Sequence, residues 1–337
     1  MLRRILVGCV VVAAHFTFLR NLNYADETPP TARPSPDQII DGEAWSEIRI
    51  DALFGPPFQT RGKGLVVVPG HGADPQRAEI IRNNTRYIPF DRFDCVVFVY
   101  ADVRGHLDLG GCRAVHKKGQ WVDFQWMIAP AAVAAAGYTT VTVLLDDVLI
   151  APPEYLREGR ADAVLDLERM RDLLEAHGLD ALSPSVYASD KADMSAGLIG
   201  PLDADHAGPP RLSAVPHPGG FRRVGYNEVQ LVMFRATSAS GWPCFRALLD
   251  PTRHPAGWGH DLCYRKFCNA SLGRVDAVVI HCGRPSAYAD LPGTVPVNYD
   301  AATAGMHDWA ARYKRNHPSL SDWPDDGRQI VRRCASR

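Results

Sequence analysis

The run TTVTVLLDD at residues 139–147 decides how the rest of the chain is read. Its threonines and valines are β-branched, stiff at χ1 and suited to a pleated surface. The run shows no helical stripe, and it stops on two adjacent acids. A short apolar segment of this kind reads as a strand buried on both faces, with Asp146 and Asp147 at its carboxyl end. Working outward, residues 64–69 (GLVVVP) and 95–100 (CVVFVY) have the same character, as do 229–235 and 275–281. Helical patterning lies between them, at 75–84, at 113–136 with an interruption at Pro130, at 162–177 and at 242–249. In the third of these Val164, Leu167, Met170 and Leu174 share one stripe, and Gly178 is placed to end it. Buried strands alternating with helices predict an α/β fold, a mostly parallel central sheet flanked by helices in a single large domain.

That domain is expected over 60–290. A Gly-, Pro-, Asp- and Ala-rich stretch at 188–222 reads as a loop insertion. Residues 291–337 read as a C-terminal extension, a surface helix and tail. At the other end Arg3 and Arg4 precede an apolar run, so 1–20 is expected to be a signal peptide or signal anchor. Residues 21–40 are Pro-rich and read as a stem. This arrangement predicts a secretory-pathway protein. It would face the Golgi or endoplasmic-reticulum lumen as a type II membrane protein, or be secreted if the leader is cleaved. Two sequons, Asn83-Asn84-Thr85 and Asn269-Ala270-Ser271, agree with a lumenal domain. So do the seven cysteines beyond Cys9, enough for three bridges with one thiol left over. Net charge is −1, and no basic block follows Arg4, which argues against nucleic acid as the main partner.

Ligands of open α/β sheets bind beyond the carboxyl ends of the strands. Asp146 and Asp147 at such an end suit a hard divalent cation, or else a solvated turn or helix cap. In 254–261 (HPAGWGHD), Gly257 and Gly259 let the backbone turn tightly around Trp258 and leave the indole open to a sugar ring. Asp261 is then a candidate general base; alternatively the segment is a turn, with Trp258 in the core and Asp261 capping a helix. His281, ending the strand 275–281, offers a nitrogen ligand or a structural imidazole. Glu228 is an acceptor-binding candidate or a surface charge. His71, flanked by glycines, would suit a hydrolase loop, but there is no G-x-S-x-G, H-E-x-x-H, Walker A or G-x-G-x-x-G motif to accompany it.

Taken in order, these segments resemble the domain-of-unknown-function family numbered seven hundred and seven, found in plants, algae and bacteria. That family looks like a branch of the GT-A glycosyltransferases. The resemblance runs over roughly residues 60 to 288. It is carried by Tyr100-Ala101-Asp102, by 115–121 (VHKKGQW), by 138–148 with its acidic end, by 178–184 (GLDALSP) and by Glu228. Its most specific part is Gly257-Trp258-Gly259-His260-Asp261 followed by Asp276 and His281. Leu145 stands where the family has its first acid, and the histidine lies one residue closer to Asp276. The resemblance implies Asp146, Asp147 and His281 as ligands of a divalent cation (Mn or Mg) that grips a nucleotide-sugar diphosphate. It further implies Asp261 as base, and Trp258, Gly257, Gly259 and Glu228 at the substrate. The expected reaction is transfer of a sugar from that donor to a glycan or protein acceptor. The alternative is a catalytically decayed relative that binds carbohydrate or acts as a scaffold.

Overall fold

The computed structural model describes residues 48–71, 75–99, 109–117, 121–150, 165–188, 221–224, 231–251, 253–254, 257–281 and 299–335. In chain order these form α1 (Ile50–Phe54), α2 (Pro57–Thr60), β1 (Gly64–His71), α3 (Pro75–Thr85), β2 (Phe93–Val99) and β3 (Arg113–His116). There follow α4 (Trp121–Trp126), α5 (Pro130–Ala136), β4 (Thr140–Leu144), β5 (Val148–Leu149), α6 (Leu167–Ala176), β6 (Ala181–Ala188) and β7 (Phe221–Val224). The last are β8 (Leu231–Arg235), α7 (Trp242–Leu248), α8 (His260–Cys268), β9 (Leu272–His281), α9 (Tyr299–Arg315) and α10 (Gly327–Ala335).

The strands make one sheet in the order β3-β2-β1-β4-β8-β6-β9-β5, with β7 also on β9. β1, β2, β3, β4, β6 and β9 run one way, and β5, β7 and β8 run against them. The sheet is therefore mixed but mostly parallel, as expected. Both faces are covered. Leu65, Val67, Val96, Phe98, Val141, Val143, Val232 and Phe234 point into a core shared with α1, α4, α5, α7, α8, α9 and α10. Their neighbours Val66, Val68, Cys95, Val97, Leu144 and Met233 point into a second core with α3 and α6. Adjacent strand residues alternate sides, and apolar partners on both sides explain the unbroken apolar runs.

Three elements differ from the sequence expectation. Residues 113–136, read as helical, begin with β3, whose Val115 pairs with Phe98. Pairing with β2 overrides helix formers such as Ala114. The stretch 188–222, read as a loop insertion, is strand at both of its described ends, where Ala188 closes β6 and Phe221 opens β7; β6 also contains Pro184, which cannot donate to a ladder, and its register with β9 shifts between Ser183 and Ser185. The third is the C-terminal segment. Rather than a surface helix and tail, α9 buries Ala302, Met306, Trp309 and Ala310, and α10 buries Ile330, Val331 and Cys334. Ile48, Ile50 and Leu53 are also buried, so the folded unit begins before residue 60.

Disulfides join Cys95 to Cys112, Cys244 to Cys268 and Cys263 to Cys334. Cys263 and Cys268 share α8, yet each bridges to a different helix. Cys9 and Cys282 lie outside the described residues, as do 1–47 and most of 188–222. Among the described residues no helix is long and apolar enough to cross a membrane.

Candidate functional site at the carboxyl edge of the sheet

Strand order reverses between β1 and β4: β2 and β3 lie beyond β1 on one side, and the rest lie beyond β4 on the other. The crevice over the carboxyl ends of two such strands is where α/β sheets place ligands. Asp146 and Asp147 stand there. The chain leaves β4 at Leu144 and turns, with the Val148 N–H donating to the Leu145 carbonyl at 3.2 Å. It then enters β5, which pairs with the end of β9, Val148 opposite His281.

The backbone of His281 is thus one residue away from the acidic pair in register. Its side chain, like that of Asp276, lies outside the described residues, and so does Glu228.

The two acids are not turned to solvent. They are 5% and 2% exposed. Arg77, on the first turns of α3, donates from Nη1 to Asp146 Oδ1 at 2.5 Å and from Nη2 to Asp147 Oδ2 at 3.2 Å. One planar guanidinium therefore bridges both carboxylates inside the protein. Breaking such a pair from one side costs about 3 to 5 kcal/mol, because it strands a buried charge. Seven residues on, the side chain of Asn84 donates to the Val148 carbonyl at 2.6 Å and accepts from the Ile150 N–H at 3.1 Å. Arg77 and Asn84 lie on one face of α3 and hold the turn together. Neither was singled out from sequence. Their spacing is visible there, but their partners lie 69 and 64 residues away.

The Gly-Trp-Gly loop lies in the other layer, against the start of α4, which opens five residues after β3 reaches its carboxyl end, so the loop packs near that edge of the sheet. Gly257 and Gly259 have φ of +64° and +84°. A side chain at Gly257 would collide with Trp121, 2.6 Å from its Cζ2, and with Val122; one at Gly259 would lie 2.7 Å from Met306 Cγ. Both glycines are thus required by conformation and by close approach to α4 and α9. Trp258 is partly exposed and packs against the core.

From beneath, His254 donates through Nε2 to the Trp258 carbonyl at 2.7 Å. Its ring meets His260 at 5.0 Å and Trp309 at 5.9 Å. His260 is fully buried, and neither ring nitrogen has a hydrogen-bond partner among the described residues. Burial, and then the neighbouring His254, push its pKa well below the usual imidazole value. Burial also lowers that of His254, against the opposing pull of the Trp258 carbonyl. Asp261 is half-buried, the second residue of α8, where its charge suits the helix N-terminus. Its Oδ1 accepts from the Leu262 N–H at 2.9 Å. The N-cap is Gly259, not Asp261.

Lys117, at the carboxyl end of β3, is buried too, and burial lowers its pKa.

As arranged, the acidic pair does not fit the role of an open cation site. Its bridging position belongs to Arg77, and among the described residues no group of three His, Cys, Asp or Glu side chains could hold a metal.

No protein-family model matches the chain, and no curated protein sequence matches it. Solved structures do. One is the 1–349 segment of Staphylococcus aureus TarS, with TM-score 0.41 and 12% identity over 80% of this chain and 69% of that one. Another is glucosyl-3-phosphoglycerate synthase from Mycobacterium tuberculosis, in complex with Mn2+, uridine diphosphate and glucosyl-3-phosphoglycerate. It gives TM-score 0.36 and 11% identity over 75% of this chain and 82% of that one. These are loose likenesses, and the chain's own strand order and side chains carry the functional reading.

Proposed function

We propose that this chain is a GT-A-like glycosyltransferase of the secretory pathway, moving a sugar from a nucleotide donor to a hydroxyl of a glycan or protein. One observation carries it. An acidic step closes β4 beside the reversal of strand order, and the Gly-Trp-Gly-His-Asp loop packs on the start of α4, close after the carboxyl end of β3. Membership of family seven hundred and seven belongs to this proposal, as does attachment to a membrane through residues 1–20. In this reading the donor sits over the β1–β4 crevice and the acceptor sugar stacks on Trp258. Asp261 accepts the acceptor hydroxyl proton as its oxygen attacks the anomeric carbon and the bond to the diphosphate breaks. No step is routed through a metal.

The test is binding and hydrolysis or transfer by the purified chain across a panel of nucleotide sugars, with Mn2+ and separately with chelator. Asp261→Asn is expected to keep donor affinity and lose about 10²- to 10⁴-fold in turnover. Failure of every donor to bind under both conditions would sink the proposal. A second reading, a decayed relative that binds carbohydrate without turnover, is favoured by Arg77 closing the acidic pair and by Leu145 in the place of an acid. It predicts glycan binding indifferent to chelator, with no donor affinity.

A further inference from the structure

We infer that Arg77 is the built-in cation of the acidic step. Its guanidinium occupies the place that a divalent ion would take between Asp146 and Asp147, so the folded protein takes up neither Mn2+ nor Mg2+ there. The inference rests on reading 146–147 as the acidic step of a transferase site, and it concerns what balances the charge of that step.

The geometry comes first. The two carboxylates each give an oxygen to a different nitrogen of the same guanidinium. A Mg2+ ion binds carboxylate oxygen at about 2.0 to 2.1 Å. To take the two oxygens that the guanidinium holds, Asp146 Oδ1 and Asp147 Oδ2, it would have to lie where the guanidinium lies, and the two exclude each other there by volume and by charge. Burial points the same way. The side chains of Arg77, Asp146 and Asp147 are 6%, 6% and 2% exposed. Mg2+ gives up water reluctantly and usually keeps several of its waters, so a covered pair is a poor host. The third observation is anchorage. Asn84 fastens α3 to the far side of the same turn, through Val148 and Ile150, and so holds the Arg77 backbone at a fixed distance from both acids. Withdrawal would remove a cation from two buried acids, which is costly.

The experiment titrates the purified full chain with MnCl2, reading bound Mn2+ by electron paramagnetic resonance and stability by Tm. Wild type is expected to bind no Mn2+ at this step and to show the same Tm in 1 mM MnCl2 as in EDTA. Arg77→Met keeps the apolar stem and removes the charge. It is expected to melt lower in EDTA and to regain about 5 to 10 °C in 1 mM MnCl2, if the uncovered pair holds the ion at about 10 μM. Should that variant fail to fold, wild type beside Asp147→Asn decides. Mn2+ uptake by wild type that is lost in Asp147→Asn overturns the inference; equal spectra support it. Binding of a panel of nucleoside diphosphates separates this from the transferase proposal. Binding only with Mn2+ overturns the inference and leaves the transferase standing. Equal binding in EDTA supports both. Absence of binding, with Mn2+ ignored, sinks the transferase and leaves Arg77 in its role.

Discussion

Asn84 replaces a piece of backbone. Its amide meets the Val148 carbonyl and the Ile150 N–H as a neighbouring strand would, and all of these groups are buried. Asn84→Ala should leave both without a partner and cost about 2 to 4 kcal/mol, measured as a drop in unfolding free energy in urea. His260 makes a prediction of the opposite chemistry, since it is held neutral. Its pKa and that of His254 are depressed in the fold, whereas an unfolded imidazole titrates near 6.5. Below about pH 6.5 the unfolded chain therefore binds more protons than the folded one, and stability falls as pH falls. The slope approaches about 1.4 kcal/mol per pH unit for each histidine. His260→Leu should flatten the acid limb of urea midpoints taken between pH 7.5 and 5. The position of Asp146 and Asp147 at a strand end could be read from residues 139–147, because an apolar run closing on charge is a local pattern. That Arg77 neutralises them could not, because the pairing exists only once α3 packs beneath β5.

α8 illustrates what a helix adds to its residues. It begins at a left-handed glycine, ends at the left-handed Asn269, and carries two cysteines bound to different helices. Asn269 is exposed at that C-terminus, whereas Asn83 is buried at 4% exposure within α3. Only the Asn269 sequon presents an amide that a glycan can occupy in the folded protein. Secreted from a eukaryotic cell, the wild type should carry one N-linked glycan, with Asn269→Gln removing the gel shift and Asn83→Gln leaving it. A glycan mapped to Asn83 by mass spectrometry would contradict this placement of α3. Elements hidden from sequence share one cause. β3 is four residues long and has helix-forming composition, and β6 carries a proline. Both are strands because of the partner beside them, β2 and β9, and no window of their own sequence contains that partner. β1, β2 and β4 were legible because burial on both faces writes itself into composition.

Across the whole molecule the bridges span both layers. Cys95–Cys112 ties β2 to the start of β3 on the α3 side of the sheet, while Cys244–Cys268 and Cys263–Cys334 tie α7, α8 and α10 on the other. The last closes 71 residues and holds the C-terminal helices on the core that supports the Gly-Trp-Gly loop. A native disulfide contributes about 2 to 5 kcal/mol. Three together are comparable with the whole margin of about 5 to 15 kcal/mol by which domains are stable. This gives the lumenal proposal a physical test that does not depend on the leader. Full reduction should lower Tm by more than about 10 °C and loosen α10 first. Cys263→Ser with Cys334→Ser should reproduce the α10 part alone, seen as early amide exchange over 327–335 and reduced protection at Trp309. A cooperative melt unmoved by reductant would mean that the core holds without its bridges. Oxidising conditions would then be unnecessary to this fold, and the cysteines would no longer favour the secretory pathway.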